Sequence, residues 1–410
     1  LQRWGREQYI PLTPADLIAK LLARHELGLD KADAHCVASF ERFRSEFETF
    51  GSKMVEDVHR QYRRHHRRLV QLYNRFDPDI DTRWESSRNS NSSNVEEREV
   101  DCRKLFHEIA ETLHHANYRR LTPREILETF NAASYWGVRL KIRFGSFRRL
   151  EVYGRGDIVA KRQRRNWRKW FRFEEVDVPI YQRIVVVIRT KEVQSLPEIM
   201  DPECVHIRMF KNIPKADVDM MLPGSQVRLS WTDTGKIGIP TIWGLFMLAS
   251  KLVKSFWLLA LLGTIKILSS FALVIAVGVA ALVYGVKSML SYSTTKRRYQ
   301  LNVTRNLYYQ NLDNNLGALL RLLDESEQQE ACEAVLAYYV LVTSSKPWMT
   351  TEEIDHASES ILKEWLGDLV DFDVQDALRD LTASGMIQLS EPGWHALPLL
   401  EALSKLTARG

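Results

Sequence analysis

The chain has 410 residues, 45% of them apolar and 27% charged, with a formal net charge of +5. Length and apolar content exclude a wholly disordered chain and a disulfide-stapled miniprotein, and they leave room for two or three compact units. Cys36, Cys102, Cys204 and Cys332 lie far apart, so neither a zinc ribbon nor a disulfide framework is expected. The charge is unevenly spread: residues 325–410 hold 16 acidic against 5 basic side chains, a net of −11, and residues 1–324 a net of +16. A basic front and an acidic tail point to different partners for the two ends.

Residues 1–76 read as a helical region. Thr13-Pro14-Ala15-Asp16 places an N-cap before a proline at the first helical position. Phe40, Phe43, Phe47, Phe50 and Met54 recur at steps of three and four, the stripe of a helix facing a core, and it runs on loosely through Val58, Tyr62, Leu69, Tyr73 and Phe76. Residues 77–94 (DPDIDTRWESSRNSNSSN) form a polar linker. Residues 95–136 are a further helical segment, with Thr122-Pro123-Arg124-Glu125 as a capping box within it.

From residue 137 to 235 the period drops to two. VRLKIRF (138–144), LEVYG (150–154), RIVVVIRT (183–190) and VHIRMF (205–210) alternate or are rich in Val and Ile, which predicts a small antiparallel sheet. Between two of these strands lies KRQRRNWRKWFRF (161–173), with seven basic and four aromatic residues, as an insertion or extended hairpin arm. On a helix Trp167, Trp170 and Phe171 would share a face bordered by Lys161, Arg164, Arg165, Arg168, Lys169 and Arg172, a pattern suited to the headgroups of an anionic bilayer. Docking on the acidic C-terminal module, single-stranded nucleic acid and a solvated arm are the alternatives.

Residues 267–286 carry no charge, and 20 residues at 1.5 Å each cover the roughly 30 Å hydrocarbon core of a bilayer. Residues 239–263 are apolar except for Lys251 and Lys254. Together 239–289 are expected to form a transmembrane hairpin. Lys236, Lys287, Lys296, Arg297 and Arg298 on its flanks place both soluble parts on one side: the matrix side of a mitochondrial inner membrane, or the cytoplasmic side of a bacterial one. A long helix is expected over 291–324. Residues 325–410 read as an acidic module with the element order of a winged helix. Its third helix carries Asp373, Asp376 and Asp380 against Arg379, which repels phosphate, so nucleic acid is not an expected partner.

Four stretches, REQYIPLTPADLI (6–18), YQRIVVVIRTK (181–191), FKNIPKADVDMMLPG (210–224) and LYYQNLDNNLGALLRLLDESEQQE (307–330), resemble the family typified by mitochondrial transmembrane protein 143. The resemblance implies a multi-pass membrane protein without an established activity. It singles out Phe210, Lys211, Pro214 and Pro223, with Pro214 fixing the turn that leaves a strand.

Chemistry is sparse. Two Glu-x-x-His pairs, Glu56/His59 and Glu111/His114, have the spacing that holds irons on facing helices, with Glu46, Glu48 and Glu108 as nearby donors. A region this dense in Glu, Arg and His produces such pairs by chance, and His65-His66 and His114-His115 read as surface histidines. No Walker loop, GxGxxG, HExxH or GxSxG occurs. The sequence therefore predicts an α+β membrane protein: a non-enzymatic scaffold with no cofactor, touching anionic lipid and a protein partner and open to self-association. The alternative is a membrane-bound metal enzyme using the Glu-x-x-His pairs.

Overall fold

A computed structural model describes residues 6, 8–27, 34–79, 95–126, 139–141, 144–166, 172–191, 201–222, 226–228, 308–367 and 370–409, with isolated helical positions between 250 and 305. The chain divides into two compact units. One gathers Leu1–Pro123, Gly145–Lys215 and Asn311–Gly410; the other Arg124–Phe144 and Ala216–Gln310.

The first unit opens with α1 (Pro14–Leu27). Thr13 caps it, its hydroxyl accepting from the Asp16 amide at 3.2 Å and donating to the Asp16 carboxylate at 2.7 Å. Helix α2 (Ala34–Tyr73) runs for 40 residues, about 60 Å; α3 is Val95–His115. A five-stranded antiparallel sheet follows, built from β1 (Arg119–Arg120), β3 (Phe147–Asn166), β4 (Arg172–Thr190), β5 (His206–Pro214) and β7 (Asn311–Asn314) in that spatial order. Helix α4 (Asn315–Thr343) continues directly from β7. Then come α5 (Thr351–Leu366), α6 (Val374–Ala383), a hairpin of β8 (Ile387–Ser390) and β9 (Gly393–Ala396), and α7 (Leu399–Arg409). In the second unit β2 (Arg139–Lys141) pairs antiparallel with β6 (Gln226–Arg228).

Helix α4 joins two cores of the first unit. Its first turns, Ala318, Leu319, Leu322 and Leu323, pack with Leu69, Tyr73 and Phe76 of the α2 end, with Phe106, Ile109 and Leu113 of α3, and with Val185, Val187, Ile207 and Met209 of the sheet. Its last turns, from Cys332 to Leu341, pack with α1, the phenylalanines of α2 and the C-terminal elements. The Phe50 ring stacks on Tyr338 at 4.1 Å, and Phe47 meets Tyr339 edge-on at 5.5 Å. The aromatic stripe on α2 is thus a core face, with Phe43 half-buried at its border.

Two expectations change. Among the described residues no helix is long and apolar enough to cross a membrane. The expected hairpin, the multi-pass reading and the inner- and cytoplasmic-membrane placements drawn from it are corrected accordingly. The two longest described helices, α2 and α4, are amphipathic or interrupted by acids and do not meet that requirement. Segments 239–263 and 267–286 lie outside the described residues except at positions 250, 254, 279, 283 and 286. In place of a helix that ends at 324, a strand, β7, precedes one continuous helix that carries LLDESEQQE into the apolar run EAVLAYYVLV. The basic stretch lies, wherever it is described, on the extended hairpin arm expected of it: Lys161 to Asn166 close β3, Arg172 opens β4, and Lys161 pairs with Asp177 and Arg164 with Glu174; Trp167, Trp170 and Phe171 lie outside the described residues.

Candidate functional site

Between its two apolar ends α4 presents a polar belt. Ser326, Gln329, Glu330 and Glu333 recur at helical spacing and are all buried. A buried carboxylate is costly unless paired, hydrogen-bonded or protonated; the Ser326 hydroxyl donates to the Leu323 carbonyl within α4, and the other belt residues and their neighbours Glu325 and Glu327 meet groups from outside α4. The Gln329 amide accepts from the Ile10 N–H at 3.0 Å and donates to the Ile10 carbonyl at 2.9 Å, pinning the segment before α1. Glu325 accepts from the Tyr118 hydroxyl and from Arg155 Nη2, both at 2.8 Å. The Arg155 guanidinium itself lies 3.8 Å from the Tyr9 ring centre and 4.4 Å from that of Tyr118. Glu327 takes one imidazole on each oxygen, His66 and His59 of α2, each through Nδ1 at 2.8 Å. Burial pushes the Glu327 carboxyl up, but those two bonds outweigh it and leave it below its ordinary range.

Glu330, only 1% exposed, is the centre of the belt. Its Oε1 accepts from His115 Nδ1 of α3 at 2.5 Å. That bond holds His115 in its charged form to higher pH, against the effect of burial. On the other side, α6 brings Asp376 and Asp380. Arg379 grips both, Nη1 at 2.7 Å from Asp376 Oδ1 and Nε at 3.5 Å from Asp380 Oδ1. The Glu330 and Asp380 carboxyls face each other. Glu330 Oε2 and Asp380 Oδ2 are buried and receive no N–H or alcohol O–H donor; a hydrogen bond between the two carboxyls, with the proton kept on Asp380, joins them. Burial first, and then the adjacent Glu330, push Asp380 up to about 8, while Glu330 falls below its ordinary value through His115 and Asp380 in spite of its burial. Burial and the Glu330 charge also raise Glu333 well above the carboxylate range, opposed by the Asn117 amide that donates to it at 2.8 Å. The Tyr62 ring lies 5.9 Å from both His66 and His115 and so connects the two histidine–glutamate groups.

Among the described residues, His115, Glu330 and Asp376 form the cluster that offers three potential metal-ligand atoms, all within 4.8 Å of one another. They come from α3, α4 and α6 and are distant in sequence.

The sequence-predicted residues fall elsewhere or beside this cluster. Glu56 is exposed and pairs with Lys53 and Arg60; Glu111 is exposed and pairs with His107. Their partners diverge: His59 binds Glu327, and His114 lines a 330 Å³ cavity with Arg6, Arg120 and Asp371. The two Glu-x-x-His pairs do not form a common site. Of the proposed lipid-facing set, Lys161, Arg164, Arg165 and Arg172 lie on β3 and β4, and exposed Lys161 is 4.0 Å from Glu175; Trp167, Arg168, Lys169, Trp170 and Phe171 lie outside the described residues. Phe210 and Lys211 pair with Ile184 and Arg183, and Pro214, paired with Ile180, ends β5 just before a 3-10 turn (Lys215–Met221). Pro223 is outside the described residues. The belt itself was missed. Its signal was present: glutamates at 327, 330 and 333 running into an apolar helix, on residues read only as family resemblance and helix.

Residues 181–317 match a family described as "Protein of unknown function (DUF3754)". The match covers about a third of the chain, from β4 to the first turn of α4, and stops before the belt. No curated protein and no solved structure matches the chain.

Proposed function

We propose that this chain binds a divalent metal cation at the junction of α3, α4 and α6, through His115, Glu330 and Asp376. The observation that carries the reading is the convergence on Glu330: a buried carboxylate bound by the His115 imidazole, with one ligand atom each of His115, Glu330 and Asp376 all within 4.8 Å of one another. Facing buried carboxylates require either a proton or a cation between them. An imidazole and carboxylates from separate helices supply donors of the kind that divalent ions take at about 2.0–2.2 Å, and small side-chain movements contract a 4.8 Å cluster onto an ion. Kinship with the transmembrane protein 143 family, supported by the 6–18 and 307–330 stretches, belongs to the same reading and carries no activity with it.

The test uses the full chain, stripped with chelator, dialysed against Zn²⁺ or Co²⁺ and assayed for bound metal. One ion per chain, lost in His115→Ala and kept in the exposed control His107→Gln, is expected. A wild-type chain without bound ion, or a His115→Ala chain that retains it, would defeat the proposal.

A further inference from the structure

We infer that a separate site, between the sheet and the first turns of α4, binds the phosphate group of a small phosphomonoester. Its centre is a row of like charges. Arg155 on β3 stands directly opposite Arg183 on β4, and Arg183 directly opposite Lys211 on β5. Directly opposed residues of an antiparallel ladder share a face. Here it is the face that packs on α4: Tyr153, Val185 and Met209, two residues along each strand, share a core with Ala318, Leu319 and Leu322. Helix α4 adds Arg321 to the row. Like charges opposed across strands destabilise a sheet, so an anion between them has work to do. The chain supplies two carboxylates. Glu325 lies 2.8 Å from Arg155, 3.4 Å from Arg321 and 4.0 Å from Arg183, and Asp313 lies 3.7 Å from Arg321. No ion pair reaches Lys211 among the described residues. Four cations therefore face two carboxylates, a surplus of two positive charges. The Nε atoms of Arg155 and Arg183 are buried and have no acceptor.

The three arginines and Glu325 line a cavity of 610 Å³, within the range of about 300–1,000 Å³ that small-molecule sites occupy. Guanidinium forks match the oxygens of phosphate. The surplus of two charges matches the dianion of a phosphomonoester, whose second pKa is about 6. Arg155 is 3% exposed, so its attraction is weakly screened. Asp16 and Asp324 also line the cavity and repel a polyanion, which disfavours nucleic acid and nucleoside triphosphates. The wall formed by Tyr9, Leu12, Thr13 and Gln328 leaves room for the rest of the molecule. The site shares no ligand with the proposed cation site.

The probe is glycerol 3-phosphate, titrated into the full chain at pH 7.5 and followed by the broadening of its phosphorus NMR line. Prior chelation keeps metal-bound phosphate out of the signal. Wild type is expected to bind saturably at one site. Arg183→Gln is expected to weaken binding by at least about tenfold, and the exposed control Lys161→Gln to stay within about twofold. Should Arg183→Gln fail to fold by circular dichroism, Arg321→Gln is read in its place. Glu325→Gln removes the chain's own anion from the arginines and is expected to bind about threefold tighter or more, a gain that a purely structural cluster would not give. Absence of saturable binding to wild type, unchanged affinity in the folded arginine variant, or weaker binding in the folded Glu325→Gln chain overturns the site. Co-sedimentation with phosphatidic acid vesicles, without binding of glycerol 3-phosphate, overturns the small-molecule reading in favour of a lipid headgroup.

Discussion

Replacing Glu333 by Gln should stabilise the protein, and increasingly so as pH rises. Glu333 is 3% exposed, and burial, followed by the charges of Glu330, Asp373 and Asp376, lifts its carboxyl well above the ordinary value of 4.5; only the Asn117 amide pulls the other way. The folded chain therefore keeps a proton that the unfolded chain releases just above pH 4.5. With one proton fewer on the unfolded state, stability falls by about 1.4 kcal/mol for each pH unit between the unfolded and folded values, and it is level below that window. Gln removes the proton exchange while its side-chain oxygen still accepts from Asn117. The difference in unfolding free energy between variant and wild type should thus be flat up to about pH 4.5 and then grow with that slope. Urea unfolding followed by circular dichroism at pH 4, 5 and 6 measures it. Curves that stay parallel through pH 6 would refute the claim that Glu333 is held protonated by its surroundings.

Two further outcomes follow from buried groups elsewhere. Lys215, 1% exposed, reaches Asp157 at 2.5 Å and lies 5.0 Å from the Tyr181 ring; Asp157→Ala breaks this buried pair and should cost about 3–5 kcal/mol in urea unfolding. The double variant Asp157→Ala, Lys215→Met should recover much of the loss, and no recovery would contradict the pairing. Burial raises the thiols of Cys102, Cys204 and Cys332, that of Cys204 to about 12. None of these three should react with Ellman's reagent at pH 8 before unfolding, and mass mapping of a rapidly labelled one would contradict their burial.

Sequence reasoning was strongest where periodicity reports burial directly. Phe47, Phe50 and Met54 are buried at helical spacing, and VVVI of residues 185–188 lies on a strand of the antiparallel sheet. KRQRRN was read as part of an insertion or extended hairpin arm, and it closes a 20-residue strand paired with β4, because the ladder depends on backbone hydrogen bonds rather than on apolar side chains. The uncharged residues 267–286, on which a membrane hairpin was expected, lie outside the described residues except at 279, 283 and 286, and among the described residues no helix is long and apolar enough to cross a membrane. The belt was hidden for a different reason. Glu330 makes sense only beside His115 and Asp380, which lie 215 residues before it and 50 after it, and no local pattern announces that meeting. The Glu111-Thr112-Leu113-His114 pair came within one residue of the correct imidazole, but on a helix the neighbouring histidine points some 100° away.

The cation site is tested most directly by diffraction from crystals of the full chain grown with Mn²⁺, with data collected where the ion scatters anomalously. The account predicts one anomalous peak within about 2.3 Å of oxygens from Glu330 and Asp376 and a nitrogen of His115. A well-ordered belt in which His115 still donates to Glu330, with no peak between α3, α4 and α6, would contradict it.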